Sequence, residues 1–325
     1  MASIKYNNCY IKDAYSIAGP MEKMGQIKSY DYTLNDYYFK EKTFEDAEVK
    51  MQQKAIEDLL QKNELTESNI DVVIGGDLFN QIAITSKALE KYNISFLGTY
   101  SACATFVENL IVGANLLANK SFKNAIAITS SHNLTAEKQF RYPVEYGSPK
   151  HKSNTFTATG CVASLLVNKP TNLKVEASTI GQVINMGIKD VNNMGAVMAP
   201  AAASTIVKHL EELNRSIDDY DLILTGDLGD VGSKILKEYL SINYNIKLKN
   251  HMDAGREIYT KSQDIQAGSS GPVSLPLVLF NKVLKNKKYK KILLVGTGSL
   301  HTPTLVNQKN SIAAIAHAVS LEVLG

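Results

Sequence analysis

Apolar positions along this chain fall into two rhythms. One is a short run of consecutive or alternating apolar residues that ends on small or polar ones. Ile70-Asp71-Val72-Val73-Ile74-Gly75-Gly76-Asp77 is of this kind, a buried strand closing on glycines. Ile94–Gly98, Ala125–Thr129, Thr155–Thr159, Val162–Asn168 and Leu173–Ile184 read the same way, and Ile4–Ile11 predicts a first strand. The other rhythm has the helical period of about 3.6 residues. Phe44, Ala47, Met51, Ala55 and Leu59 give one face of a helix from Thr43 to Asn63, with Thr43 and Asp46 as its N-terminal cap. Helices also follow over Ala83–Tyr92, over the stretch with Phe106, Leu110, Ile111, Ala114, Leu117 and Ala118, and over Met194–Leu213. Residues 1–40 are otherwise Tyr-rich and irregular, with Gly19-Pro20 and a polar stretch to Tyr38 after the first strand. The segment from Asn133 to Asn154 is a long polar loop with aromatics and two prolines, of the length and content expected of an ordered functional loop.

The order of these elements repeats. Asp71-VVIGGDLFNQ has a counterpart in Asp221-LILTGDLGDVG, each a strand followed by Gly-Asp-Leu and a helix. The strand–helix–strand unit around Cys103 has its counterpart in QAGSSGPVSLPLVLFNKVLKNKKYKKILLVGTGSLH, and both units end in a strand, a small polar turn and a histidine, His132 and His301. Two copies of a βαβαβ unit predict an α/β protein with pseudo-twofold symmetry, divided at about residues 1–169 and 170–325. In such sheets a site lies beyond the carboxyl ends of the strands, where the halves meet. Cys103, His132, Asp227, Ser269–Gly271 and His301 are expected to gather there.

Cys103 sits in Ser101-Ala102-Cys103-Ala104-Thr105, where a strand turns into a helix. Free N–H groups and the positive end of a helix dipole lower a thiol pKa and suit either a thiolate nucleophile or an anion site. A small buried cysteine packing a tight turn is the plainer reading.

Composition narrows the classes. The net charge of +3 is too small to indicate nucleic acid, and the densest basic run, KNKKYKK at 285–291, reads as a solvated helix end before a strand. Three scattered cysteines, Cys9, Cys103 and Cys161, argue for a reducing compartment rather than a disulfide framework. The first residues lack the apolar core of a signal peptide, and no window reaches the roughly 18 uninterrupted apolar residues of a membrane span.

A duplicated α/β half with a cysteine at a strand-to-helix turn resembles the thiolase fold, a layered αβαβα core. The segments TSSHNLTAEKQFRYPVEYG (129–147), MGAVMAPAAASTI (194–206), DDYDLILTGDLGDVGSKIL (218–236) and SIAAIAHAV (311–319) are similar to those of the stage V sporulation protein AD family, over nearly the whole chain. The resemblance implies a thiolase-like protein that binds dipicolinic acid, free or as its calcium chelate, and serves its uptake into the developing spore. It implies a place on the cytoplasmic side, peripheral to the spore inner membrane, alongside the membrane proteins of its operon. It also implies a homodimer, built through the strand after the cysteine helix, Ala125–Thr129. No resident cofactor is expected, calcium entering only with the chelate, and no dedicated calcium loop of the DxDxDG kind is present.

The alternative is an active acyltransferase or thioester-processing enzyme with Cys103 as nucleophile. Thiolase-type acyl transfer needs a base and an oxyanion donor beside the cysteine. Relatives of the ketoacyl-synthase type supply a His and an Asn, or a second His, from the second half. The corresponding turns here read Leu224-Thr225-Gly226-Asp227-Leu228-Gly229-Asp230 and Gly268-Ser269-Ser270-Gly271-Pro272, with neither residue. There is also no Trp, which acyl-CoA enzymes of this fold often stack against adenine. The expectation is a catalytic pocket reused for binding. Cys103 with its helix start would receive the anion, beside Ser269 and Ser270. Arg141 is the candidate for a bidentate carboxylate contact, or else an ion pair with Glu137 or Glu145. His132 is a donor to a carboxylate or a satisfied core histidine, and Tyr142 or Phe140 is a ring wall or core packing. Asp227 meets the chelate's calcium or caps the next helix.

Overall fold

The computed structural model describes residues 2–119, 121–140 and 151–324. The first half contains β1 (Ala2–Lys5), β2 (Tyr10–Ala18), α1 (Pro20–Lys23), β3 (Tyr32–Thr33), α2 (Phe44–Lys62), β4 (Val72–Gly76) and α3 (Ala83–Leu89). It continues through β5 (Phe96–Gly98), α4 (Thr105–Ala118), β6 (Asn124–Ser131), α5 (Asn133–Phe140), β7 (Phe156–Thr157) and β8 (Gly160–Val167). The second half has β9 (Leu173–Ile180), α6 (Met194–Leu213), β10 (Leu222–Thr225), α7 (Gly229–Tyr244), β11 (His251–Asp253) and β12 (Ser269–Ser270). It closes with α8 (Ser274–Val278), which runs into a π-helical turn at Leu279–Val283, then β13 (Lys291–Leu300), α9 (Pro303–Asn307) and β14 (Ala313–Val323).

The strands of the two halves follow one plan. The first runs β5-β4-β6-β8-β2 and the second β11-β10-β13-β14-β9, and the two runs join at β2 and β9. In each, three strands are parallel and the last two antiparallel. Small features repeat as well. Thr66 and Ser216 each open a capping box with the residue three positions on. Asp71 accepts from the N–H groups of Lys123 and Asn124, and Asp221 from those of Lys290 and Lys291. Each aspartate thereby ties the start of its strand to the start of the next parallel strand.

Period-two alternation sorts the side chains into layers. Val72, Ile74, Ala125 and Ala127 of the first sheet and Leu222, Leu224, Ile292 and Leu294 of the second face inward. Between them lie α4 and α8, including Phe106, Leu110, Leu275 and Leu279. The outward residues Val73, Ile126 and Ile128 meet Met51, Ala55 and Leu59 of α2. Ile223, Leu293 and Val295 meet Val197, Ala201 and Ile206 of α6 and Leu236 of α7. This is the expected layered αβαβα arrangement.

The Thr43 cap is present, its hydroxyl accepting from Asp46 N–H at 3.0 Å. Four local expectations are corrected. Ile4–Ile11 is two strands, broken at the exposed Asn7-Asn8 turn, and the second continues through the Tyr-rich stretch to Ala18. The loop after His132 opens as α5, because Ala136 and its neighbour Thr135 are buried on one helical face. The strand from Leu173 stops at Ile180, since Gly181 donates instead to His317 Nδ1 at 3.1 Å. The strand expected to join two subunits, Ala125–Thr129, is β6, paired on one side with β4 and on the other with β8, so it has no free edge. The free edge of that half is β5.

Phe106 is 1% exposed and packs edge-on against Phe280 of the π-helical turn, 6.2 Å between ring centres. Phe106→Ala removes a ring shared by the two halves and is expected to lower stability by about 3–5 kcal/mol in denaturant unfolding. A loss below about 1 kcal/mol would show that the middle layer collapses readily around the void.

Candidate functional site

The turn before α4 carries Cys103 in a strained but well-tied frame. Ala102 has φ 50, a left-handed conformation that costs a non-glycine residue about 1–2 kcal/mol. Thr105 holds it: its hydroxyl donates to Ala102 O at 2.7 Å and accepts from Ser101 N–H at 3.1 Å. β13 passes so close that a Cβ on Gly298 would fall 2.3 Å from Ser101 O. Only glycine permits that approach.

From the second half, Asp227 reaches the cysteine from the end of β10. It is 1% exposed, and its carboxylate accepts two hydrogen bonds beside the Cys103 thiol. Thr297 Oγ1 donates to Oδ1 at 2.8 Å and Gly271 N–H to Oδ2 at 3.2 Å. Gly271 reaches this position with φ 100, and a Cβ there would lie 2.8 Å from Ser131 Oγ. Burial pushes Asp227 up to about 6, against the lowering effect of the neighbouring thiol, Thr297 and Gly271.

The thiol responds strongly. Burial first, then the Asp227 charge and the hydrogen bond to it, raise Cys103 well above its ordinary value. The N–H groups of Gly271 and of Cys103 itself pull the other way and are outweighed. Burial and the neighbouring Asp227 carboxyl group therefore keep the Cys103 thiol protonated at neutral pH. The helix-start environment that favours a thiolate is overridden by one buried carboxyl group.

Capping α7, one of the two roles open for Asp227, belongs to another residue. Asp253 accepts from Leu228 N–H at 3.0 Å, Gly229 N–H at 2.9 Å and Thr225 Oγ1 at 2.6 Å. Its full burial pushes it up to about 7.

Cys103 opens onto a cavity of about 50 Å3. Its described apolar lining is Leu78, Ala102, Ala136, Phe140, Val191 and Met194, and its polar lining is Glu137, Thr157, Asn192, Ser270, Ser299 and His301. Ser270 is thus beside Cys103 as expected. Ser269 is buried behind it, its hydroxyl donating to Ser274 Oγ at 3.0 Å. His301 faces the cavity, its Nδ1 3.1 Å from Ser299 Oγ and its ring 5.3 Å from that of Phe140. Phe140, a candidate wall, lines the cavity.

His132 does not join this group. Its Nε2–H donates to Tyr37 O at 2.9 Å, its Nδ1 accepts from Leu134 N–H at 3.2 Å, and its ring stacks on Phe44 at 5.3 Å. Burial pushes it down to about 4. It is a neutral core histidine with both nitrogens engaged. Arg141 and Tyr142 lie outside the described residues. Thr297, Ser299, Asn192 and Leu78 were not singled out in the sequence; the run of small residues in Gly296-Thr297-Gly298-Ser299 is the signal that marks the first two. Among the described residues no group of three or more His, Cys, Asp or Glu is placed to hold a metal ion, and no helix is long and apolar enough to cross a membrane.

Two five-stranded halves around a shared helical layer, with a cysteine at the start of the first inner helix, define a thiolase-like protein. Solved structures agree on the fold. A variant of OleA from Xanthomonas campestris superposes with a TM-score of 0.63 at 12% identity, covering 98% of this chain and 99% of that one. The 3-oxoacyl-[acyl-carrier-protein] synthase III from Aquifex aeolicus VF5 does so with a TM-score of 0.56 at 14% identity, covering 98% and 99%. The sequence goes further. The model of the family Stage V sporulation protein AD (SpoVAD) matches residues 2–322, and the chain belongs to that family. It is 41% identical over 321 residues to the Stage V sporulation protein AD of Bacillus subtilis (strain 168), covering 97% of this chain and 95% of that protein.

If Asp227 holds the thiol protonated, removing its charge frees it. Asp227→Asn is expected to speed iodoacetamide labelling of Cys103 at pH 7.5 by about tenfold or more, read by mass spectrometry, since the thiolate is the reacting form. Cys9 and Cys161 are fully buried and compete little. An unchanged rate would mean that burial alone silences the thiol.

Proposed function

We propose that this protein binds dipicolinic acid, free or as its calcium chelate, for uptake into the developing spore, and is not an acyltransferase. The observation that carries this reading is the Cys103–Asp227 pair: a buried carboxyl group beside the fold's nucleophile holds the thiol protonated rather than activating it. Membership of the Stage V sporulation protein AD family supports the spore context. The residues around the cavity, rather than its volume of about 50 Å3, support the ligand class. Apolar walls from Leu78, Phe140, Val191 and Met194 suit a flat ring, while Ser270, Ser299, Asn192 and His301 offer polar partners to carboxylates. Arg141, the residue after Phe140 in the sequence, is the cation proposed for a ligand carboxylate.

In this reading the protein sits peripherally on the inner membrane with the membrane proteins of its operon. It works as a homodimer joined at β5. That edge strand leaves Phe96, Leu97 and the following Tyr100 at 36%, 44% and 44% exposure, and an open apolar edge calls for a partner. Sedimentation velocity should show a dimer that Leu97→Asp converts to monomer; a wild-type monomer at micromolar concentration would remove this part of the proposal.

Calorimetry with dipicolinate and with its calcium chelate tests the binding. Arg141→Ala is expected to weaken binding about tenfold or more, the scale of a lost charge-assisted hydrogen bond, and Cys103→Ala to weaken it too. No heat at millimolar ligand with folded protein would sink the proposal. Cys103-dependent turnover of acyl-CoA, or an acyl-enzyme mass shift, would replace it with acyl transfer.

A further inference from the structure

The densest basic run of the chain, residues 285–291, is the turn that leads from the middle layer into β13. Leu284 N–H donates to Leu279 O at 2.9 Å as the π-helical turn closes, and Lys291 opens the strand. Tyr289 pins the turn by packing against the core, while Lys285, Lys287, Lys288 and Lys290 are exposed. Leu324, just past the end of β14, lies beside them. Val323 N–H donates to Lys290 O and Leu324 N–H to Asn172 O, both at 2.8 Å, and Leu324 is 36% exposed. Lys12 of β2 and Lys285 line one groove together with Asn172.

These charges are unmatched. Lys282 pairs with Glu257, and Lys62, also in the groove, with Asp13 and Asp31. Lys291 has Asp219, Asp221 and Glu176 close enough to feel its charge, and Glu322 opposite it in the sheet. By contrast, among the described residues no carboxylate lies within ion-pair distance of Lys12, Lys285, Lys287, Lys288 or Lys290. Taking these five from the chain's net +3 leaves −2 for the remainder. The excess positive charge is gathered at this one end.

That end is the far one from the cavity. β13 begins at Lys291, beside the lysines, and its last residues bring Ser299 to the cavity wall. Its 10 residues separate the two by roughly 30 Å.

We propose that this end docks on the anionic surface of a phospholipid membrane, the lysines over headgroup phosphates and Leu324 in the boundary beneath them. The inference rests on the reading of the protein as peripheral to a membrane, and it names the face. The kind of charge favours lipid over a nucleic acid or an acidic protein. All five residues are lysines, point charges on flexible stems, with no arginine fork among them to grip a fixed phosphate or carboxylate. Mobile headgroups demand no fixed geometry, and each lysine held near them adds to the attraction. A leucine exposed among the lysines gains from the acyl boundary and gains nothing from a phosphate backbone. Docked this way, the protein holds its cavity away from the lipid.

The test is co-sedimentation of the whole chain with vesicles of phosphatidylglycerol and phosphatidylcholine in equal parts, and of phosphatidylcholine alone. The wild type is expected to bind the anionic vesicles only, and to be released as salt rises from about 0.05 to 0.5 M. Each lysine replaced by glutamine should weaken binding about fivefold. The combined variant Lys285→Gln, Lys287→Gln, Lys288→Gln and Lys290→Gln should lose it while unfolding at the wild-type midpoint, since no ion pair is removed. Leu324→Ser should weaken vesicle binding and leave any binding to duplex DNA unchanged. Anionic vesicles that hold the combined variant as well as the wild type overturn the inference and leave the peripheral reading standing on another face. A wild type that ignores vesicles but is retained by membranes carrying the operon's membrane proteins overturns it in favour of a protein anchor. Binding to duplex DNA as tight as to vesicles, with Leu324→Ser indistinguishable on both, also overturns it.

Discussion

Each half of this molecule presents a sheet with one apolar face that α2 and α3, or α6 and α7, do not cover. Those two inner faces close on one shared layer, α4 and α8, and neither half buries its core without it. Residues Ser274–Val278 of α8 are buried on every side. The location of the site follows from this constraint. The strands feeding α4 and α8 run parallel within their sheets, so both inner helices begin at the same level, beyond the strands' carboxyl ends. Cys103 at the start of one and Ser270–Gly271 at the start of the other meet because the packing leaves them nowhere else to be.

What that meeting does chemically is decided by charge rather than by fold. A cysteine at a helix start has dipole and N–H groups on the side of the thiolate. A carboxyl group within hydrogen-bond reach has the opposite effect, and burial strengthens it because water no longer screens the charge. Asp227 is fixed by Thr297 and Gly271, so it cannot turn away when Cys103 would ionise. The same frame that aligns a nucleophile in an acyl-transferring relative can thus present a neutral donor to a ligand.

Much of this was legible in the sequence, for identifiable reasons. The Gly-Asp-Leu repeat and the paired strand–helix–strand units forecast the twofold plan, because a duplicated hydrophobic rhythm has few ways to fold. The absence of His after Leu224 and of Asn in Gly268–Pro272 marks the turns that carry Asp227 and Ser270, and the structure sets both turns beside Cys103. His132 was misplaced because chain position cannot tell which side of a strand end a ring will face; it turned toward Phe44 at the start of α2 and Tyr37 in the irregular stretch before it. Asp227 was open to a capping role because Asp253, which takes it, lies 26 residues on and becomes its neighbour only through the pairing of β10 and β11. Polar helices such as α5 are hard to read, since Thr135 is buried through its bonds to Glu48 and His132 rather than by hydrophobicity.

The duplicated aspartates also record how an inherited part changes its work. Asp77 stays at home, serving the N–H groups of Phe79 and Thr85 in its own half. Asp227, at the equivalent place, has no such local duty, because Asp253 supplies Leu228 and Gly229. With Asp253 serving those N–H groups, Asp227 is left free to stand beside the thiol contributed by the other half. Descendants of one ancestral half can therefore diverge in chemistry without a new fold, by reassigning who satisfies a few backbone N–H groups.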